Sequence, residues 1–466
     1  MPRAQVQYTG TPWPILGLAL LLRLATPLAA WWLAGGPPLV REPDSEGYLQ
    51  AAAALWHERA FTRDGRPEIV RTPGYPLLLV PGVALDLPDL WAILLQACCG
   101  TLTVYVVMKV ALEAAQGCGQ TALAEPAFAP RAVPRAAALA AACDPLAVLY
   151  CGKLLSETCF TTALALSLWG LLRHAATRRL LPLAWAAVAL AAATFVRPIA
   201  YYLPPVAALW LACLGPPPAA QAPRHGTLPA AIWESRWFRA AVFLMLAMAP
   251  CLLWQARNDR LTGYGGFSAI SDVNLYYWQA APVVAEREGL TLVEAQTRLA
   301  ERARAARLPG VPHHALQAAR FFWMRREALG ILRREPWLYA RIHAQGMLAV
   351  LSDPGTQAWL NYVRYEPPPR PAGLAGMRRF AWALKAKFWA TLVHAMLWAW
   401  VLALLGLGIA GLGRMPRGRG WWLLALVFLY LLCLSGGPLG YHRFRIPLLA
   451  VWSVWAGHGL AAGTKR

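Results

Sequence analysis

Charge is scarce in this sequence. Asp, Glu, Lys and Arg make up 14% of its 466 residues, whereas 58% are hydrophobic and the mean hydropathy is +0.40. So little charge excludes a row of soluble domains, each of which would need a solvated surface. Acids are scarcer still, 23 against 44 Lys and Arg, for a net charge of +21. An excess of that size suits nucleic acid, but the basic residues sit mostly in short loops between apolar runs, where a topology signal places them. No basic stretch is interleaved with aromatics on a polar surface, as single-strand binding requires, and nucleic acid is set aside as a partner. Metal patterns are lacking too. No HxxxH or HExxH occurs, and the nine Cys include no CxxC pair. The cysteines fall largely inside apolar segments (Cys98, Cys99, Cys151, Cys213, Cys433) and read as small hydrophobes. No cofactor is firmly implied and no metal ligand is assigned; a divalent metal has no motif to support it. The N-terminus lacks a small-residue cleavage site, so the first apolar segment is expected to remain as an anchor. No internal repeat is visible.

What the sequence has in quantity is apolar runs of about 20 residues, the length that crosses a bilayer. They predict an all-α polytopic membrane protein of about ten transmembrane helices. The segments read as 13–34, 90–112, 136–149, 157–172, two more flanking Thr194 to Pro198, 240–255, 388–412, 421–434 and 446–462. Residues 1–256 form an N-terminal transmembrane module that includes an outer loop at 35–89. A polar, mainly helical outer region covers 257–387, with an arginine-rich amphipathic stretch from Glu286 to Arg307, and C-terminal transmembrane helices fill 388–466. That stretch reads as a solvated or membrane-surface face. The 23 Trp read chiefly as interfacial belts. A Pro/Ala-rich linker runs from Gly215 to Arg239, and a Gly-, Ala- and Pro-rich loop carries Arg131 and Arg135. Arg23 lies inside the first segment, where an arginine asks for a partner or a water-filled cavity.

If both termini are cytoplasmic, the inner stretches carry roughly fifteen Lys and Arg against about three acids, the asymmetry that the positive-inside rule expects. The same assignment gathers Asp44, Arg71, Lys153, Glu157, Arg197, Arg257, His442, Arg443 and Arg445 on the outer face. Positive-inside loops account for the inner arginines and not for these.

A group of outer cations suits an anionic headgroup, because the planar guanidinium fork pairs with phosphate. Arg71 precedes Thr72-Pro73, Arg197 precedes Pro198 and Arg445 precedes Ile446-Pro447. Proline breaks the helix there and lets the side chain turn into a cavity. A carboxylate among them fits a base: Asp44 can deprotonate an acceptor hydroxyl that attacks a sugar carbon while a lipid phosphate leaves. Each residue also has a plainer role open to it. Asp44 is equally placed to N-cap a helix over 46–57, and Glu46, the second catalytic candidate, suits the helix dipole as a surface acid. Lys153 can snorkel or contact phosphate. Glu157 can cap a helix or pair with Lys153 across one turn. Arg443 and Arg445 can anchor at the interface, and His442 and His57 can be structural.

The order of these motifs resembles a known group. Asp44-Ser-x-x-Tyr48, an Ala-rich helix, Phe61 and then Arg71 to Pro76 with Tyr75 look like the first outer loop of membrane glycosyltransferases of the protein O-mannosyltransferase and aminoarabinose transferase type, glycosyltransferase family 39-like, with the GT-C fold. Leu155-Ser156-Glu157, Val196-Arg197-Pro198, Arg257-Asn258, Phe267-Ser-x-x-Ser271 and Arg443-Phe-Arg-x-Pro447 follow in the matching order. The resemblance covers nearly the whole chain. It implies a polyprenyl-phosphate-linked sugar donor, an inverting transfer at the periplasmic face of a bacterial inner membrane, and Asp44 as the first-loop aspartate. It also implies Arg71, Tyr75, Lys153, Glu157, Arg197, Arg257, Asn258, His442, Arg443 and Arg445 as donor-binding residues. The acceptor, whether lipid, polysaccharide or protein, stays open. The sequence departs where many members carry a second acid directly after the aspartate: Ser45 stands there, with the acid displaced to Glu46. A transporter or flippase, or a non-catalytic binder of the same lipid, is the rival reading. Transport predicts charges deep in several spans, and apart from Arg23 the spans are clean.

Overall fold

The computed structural model describes residues 12–34, 38–116, 132–214, 235–366, 376–438 and 440–463. Arg131, the Pro/Ala linker as far as residue 234 and the Thr-Lys-Arg end lie outside the described residues. The protein is helical almost throughout, and its apolar helices form one continuous core. Helix α1 (Trp13–Ala34) is followed by the first loop, which holds α2 (Pro43–His57), a two-stranded hairpin of β1 (Thr62–Arg63) and β2 (Arg66–Pro67), and α3 (Gly74–Ala84). The hairpin turns on Asp64 and Gly65, both at positive φ (52° and 70°), the conformation that a tight two-residue turn needs. Then come α4 (Pro88–Gln116), α5 (Ala132–Ala142), α6 (Pro145–Cys151), α7 (Glu157–Thr177), α8 (Leu180–Val196), α9 (Leu203–Ala212) and α10 (Arg236–Thr262).

Among the described residues, four helices are long and apolar enough to cross a membrane: 13–33, 88–115, 236–262 and 387–414. The bent pair α5–α6 makes a fifth if it is one span. Shorter apolar helices at 74–84, 180–196, 198–212 and 419–435 fall below a full span by length, so the fold is polytopic without reaching the expected ten by this measure. Exposed tryptophans sit at apolar helix ends, Trp13 and Trp31–Trp32 on α1 and Trp237 on α10, as an interfacial belt requires. Cys98, Cys433 and Cys213, the last at the end of α9, are exposed instead of buried, whereas Cys151 is buried.

The expected span 136–149 is broken. Pro145 cannot continue the hydrogen-bond ladder, and α5 and α6 meet at 53°. The break is capped from both sides. Asp144 accepts from the Ala147 N–H (2.8 Å), and Arg23 donates to the carbonyls of Ala141 and Ala142 (3.3 Å each) as well as Ala19 (3.0 Å). Arg23 is therefore a buried cap for the free carbonyls at a helix end.

After α10 a second apolar cluster forms around Tyr264, Tyr276, Val284, Leu299 and Phe321. Its elements are α11 (Ile270–Asn274) with a π-helical continuation (Leu275–Ala280), α12 (Ala281–Glu288), α13 (Leu292–Ala305), α14 (Leu316–Arg334), α15 (Pro336–Ser352) and α16 (Thr356–Tyr362). The stretch 286–307 is not one helix. Gly289 at φ 68° ends α12, and Thr291 with Glu294 caps a new start. Its apolar stripe, Ala295, Leu299 and Ala303, is buried inside this cluster, which leaves the charged face to solvent and no apolar face for a membrane. The chain closes with α17 (Gly376–Arg414), α18 (Arg419–Ser435), a one-turn 3-10 helix (His442–Arg445) and α19 (Leu449–Gly463).

Candidate functional site

Asp44 sits in the first turn of α2, one residue past Pro43, and Glu42 holds the N-cap position expected of Asp44. The reason is local. Proline fits the first helical position, which shifts the start two residues upstream, and Ser45 then accepts from the Glu42 N–H (2.9 Å). Asp44 is thereby freed from capping and faces two arginines. Its Oδ1 accepts from Arg71 Nη2 (2.8 Å) and its Oδ2 from Arg443 Nη2 (3.1 Å). The second carboxylate is Glu157, at the first position of α7. It pairs with Arg197 and lies 3.4 Å from Arg443 Nε. Arg443 thus bridges the two acids, and three guanidinium groups and two carboxylates form one cluster.

The cluster is assembled by breaks in helices. Arg197 ends α8 because Pro198 follows it. Arg71 precedes α3, and α3 approaches α8 closely because Gly74 has no side chain: a Cβ there would meet the Phe195 carbonyl carbon at 2.5 Å and the Val196 nitrogen at 2.7 Å. The Arg71 backbone N–H donates to Glu68 Oε1 (3.0 Å), and its guanidinium lies 4.7 Å from the Tyr48 ring centroid. The turn 151–156 fixes the start of α2. Ser45 donates to the Leu154 carbonyl (2.7 Å), Tyr48 and Ser156 hydroxyls meet at 3.3 Å, and buried Lys153 pairs with Glu42. Glu157 therefore does not pair with Lys153, as the one-turn spacing had suggested; each has a partner from elsewhere in the chain. Gln96 of α4 supports that turn by donating to the carbonyls of Cys151 (3.1 Å) and Lys153 (2.7 Å), and accepts from the Tyr75 hydroxyl (3.1 Å).

The remaining candidates stand apart from the arginine–carboxylate cluster. Glu46 is exposed and accepts from Gln50 (3.2 Å). Arg257 donates to the carbonyls of Glu68 (2.9 Å) and Phe61 (3.0 Å), and Asn258 to those of Gly266 (3.0 Å) and Phe267 (3.2 Å), so both tie loops together. Arg445 donates to the carbonyls of Leu351 (3.0 Å) and Asp353 (2.9 Å). His442 bonds Asp353 through Nδ1 (2.7 Å) and meets the Tyr150 hydroxyl at Nε2 (3.1 Å). Glu42, Glu68, Gln96, Tyr150 and Asp353 were not singled out in the sequence. Only Glu42 carried a signal there, as an acid two residues before Asp44.

Burial alone would push the Asp44 carboxyl up, but the charges and hydrogen bonds of Arg443 and Arg71 outweigh it and hold the group at about 2. Asp44 is therefore ionised, and its proton affinity is low for as long as both arginines stay on it. Among the described residues no three His, Cys, Asp or Glu side chains converge. With guanidinium groups on both Asp44 oxygens, this donor set does not fit a divalent cation. What it does fit is an anion that takes over arginine donors from the carboxylates.

Comparison with known protein families finds no match, and comparison with curated proteins finds none. Among solved structures, the chain is similar to the archaeal oligosaccharyltransferase AglB from Archaeoglobus fulgidus in complex with an inhibitory peptide and a dolichol-phosphate. Identity is 11% and the TM-score 0.48, over 97% of this chain and 50% of that one. A second structure of the A. fulgidus oligosaccharyltransferase, tethered to an acceptor peptide, gives 12% and 0.49 over 97% and 50%. ArnT from Cupriavidus metallidurans bound to undecaprenyl phosphate gives 14% and 0.41, over 96% of this chain and 78% of that one. The chain spans about half the length of the archaeal structures it matches.

Proposed function

We propose that the chain is an integral membrane glycosyltransferase. It takes a sugar from a polyprenyl-phosphate-linked donor and transfers it to an acceptor at the periplasmic face of a bacterial inner membrane, with both termini cytoplasmic. One observation carries this reading: Asp44 and Glu157 share Arg71, Arg197 and Arg443 in a single cluster at breaks between apolar helices. The donor phosphate binds the guanidinium groups, and the acceptor hydroxyl lies against Asp44. Asp44 takes the hydroxyl proton, the oxygen bonds to the anomeric carbon, and the bond to the phosphate oxygen breaks with its electron pair. Guanidinium groups on that phosphate stabilise the charge as it develops. A single displacement of this kind inverts the anomeric centre.

A carboxylate held near 2 is a weak base at neutral pH. Asp44 becomes an effective one only when the donor phosphate draws Arg71 and Arg443 away. The same observation favours a second reading, a non-catalytic binder of polyprenyl phosphate in which Asp44 is merely a counterion. Sugar transfer from a panel of polyprenyl-phosphate sugars, in membranes carrying wild type or Asp44→Asn, separates the two. The enzyme reading expects transfer by wild type and a loss of at least about a hundredfold in the variant. Full transfer by the variant excludes Asp44 as the base, and a wild type that binds lipid without transferring any sugar supports the binder.

A further inference from the structure

We propose that Asp353 and Tyr150, acting through His442, are positioning residues for Arg443. The inference rests on reading Arg443 as a donor-phosphate ligand. Arg443 belongs to the one-turn helix His442–Arg445, whose start has no side-chain cap. A single turn of 3-10 helix does not hold itself in place. It is held instead by the turn after α15. Asp353 Oδ2 accepts from both the His442 backbone N–H (3.3 Å) and ring Nδ1 (2.7 Å), while Oδ1 accepts from the Gly355 N–H (2.9 Å). Three residues after His442, Arg445 donates back to the carbonyls of Leu351 (3.0 Å) and Asp353 (2.9 Å). Gly355, at φ 74°, lets that turn lie against the imidazole; a Cβ there would sit 3.1 Å from the His442 ring and 2.5 Å from Leu146.

The other side of the ring faces α6. Nδ1 lies on the Asp353 carboxylate, and the buried Tyr150 hydroxyl lies 3.1 Å from Nε2. Both ring nitrogens are therefore committed to protein partners, and His442 addresses no phosphate without giving one up. The guanidinium of the next residue reaches Asp44 and Glu157. A turn of chain more than 300 residues from Asp44 in sequence thus places the arginine that joins the two carboxylates, and Asp353 and Tyr150 set the angle of that turn.

The test is a double-mutant cycle on purified full-length protein in detergent, with affinity for a polyprenyl phosphate as the readout. The four proteins are wild type, Asp353→Asn, Arg443→Ala and the double variant, each with its melting temperature recorded. Asp353→Asn is expected to weaken binding by about 5- to 50-fold in the wild-type background and by no more than about twofold once Arg443 is gone. Tyr150→Phe, which removes one hydroxyl and keeps the ring, shows the same non-additivity if Asp353→Asn does not fold. Equal losses in both backgrounds, or no loss in the first, overturn the positioning role while leaving the site reading intact. A wild type that binds no polyprenyl phosphate overturns the site reading and this inference together.

Discussion

Removing the charge of Asp44 is expected to abolish transfer and yet to tighten the hold on the donor lipid. Its two oxygens occupy Arg71 and Arg443 at 2.8 and 3.1 Å, so a phosphate has to displace the carboxylate before it takes those donors. The size of that competition follows from the carboxyl group itself. Although burial pushes it up, the arginines bring it from the ordinary 3.8 to about 2. A shift of this size corresponds to about 2 kcal/mol of favourable interaction with the charged form. Because 32% of the Asp44 side chain remains exposed, solvent screening reduces what a phosphate gains; about 1–1.5 kcal/mol is a reasonable share, or roughly 5- to 12-fold in affinity. Neutralising Asp44 also changes the formal charge of the cluster: Arg71, Arg197 and Arg443 against Asp44 and Glu157 sum to +1, and against Glu157 alone to +2. Equilibrium binding of a polyprenyl phosphate to wild type and Asp44→Asn in the same detergent measures the difference. Weaker binding by the variant would refute the competition, because Asp44 would then be organising the arginines for the phosphate instead of contending with it.

Two further outcomes follow from the same geometry. Gly74→Ala puts a methyl group against the backbone of Phe195 and Val196, with atoms at 2.5 to 2.7 Å, and the neighbouring Arg197 has to move with it; a loss of about 1–3 kcal/mol in stability is expected, together with weakened donor binding, and an unchanged melting temperature and affinity would show that α3 is not pressed on α8. Acid provides the second. The depressed carboxyl of Asp44 contributes stability in full above 3.8, and the contribution is lost as pH falls through about 2. Between about pH 4 and 2 the wild-type melting temperature is therefore expected to fall more steeply than that of Asp44→Asn, and parallel slopes would remove the ion pairs from the account.

The residues that meet in the cluster were legible because each broke a rule of its surroundings. Arg71, Arg197 and Arg443 are charges beside apolar segments that the expected topology, with its positive-inside loops, leaves unexplained, and Asp44 is an acid in a chain with few of them. Their partners were not legible, because pairing in this fold is long-range. Spacing of one turn offered Glu157 a helix cap or a pair with Lys153, but the first is held by Arg197 and Arg443 and the second by Glu42, 111 residues away. Proline at the first helical position made Glu42 the cap in place of Asp44, a contest that spacing alone does not decide. Arg257 and Asn258 carry the right chemistry for a ligand, yet apart from one hydrogen bond between them theirs go to backbone carbonyls of two loops. Helices were visible from hydropathy, but the break at Pro145 needed Arg23 and Asp144 to be seen against it before the straight helix became a bent pair.

The shortage of acids also bears on how the site is built. Three guanidinium groups at the edge of an apolar bundle repel one another and resist leaving water, so the folded protein needs counterions there before any substrate arrives. Asp44 and Glu157 serve that need unequally. Glu157 is 1% exposed and paired with Arg197, and removing its charge would leave a partly buried arginine uncompensated. Asp44 is a third exposed, and among the described residues its partners are the guanidinium nitrogens that the proposed function gives to a phosphate. The buried acid therefore fixes Arg197 and Arg443, and the accessible one can be relieved of Arg71 and Arg443. If the proposed function holds, a carboxylate that is a counterion without donor and a base with donor needs no separate switch, because the phosphate that brings the sugar is then also the anion that frees the base.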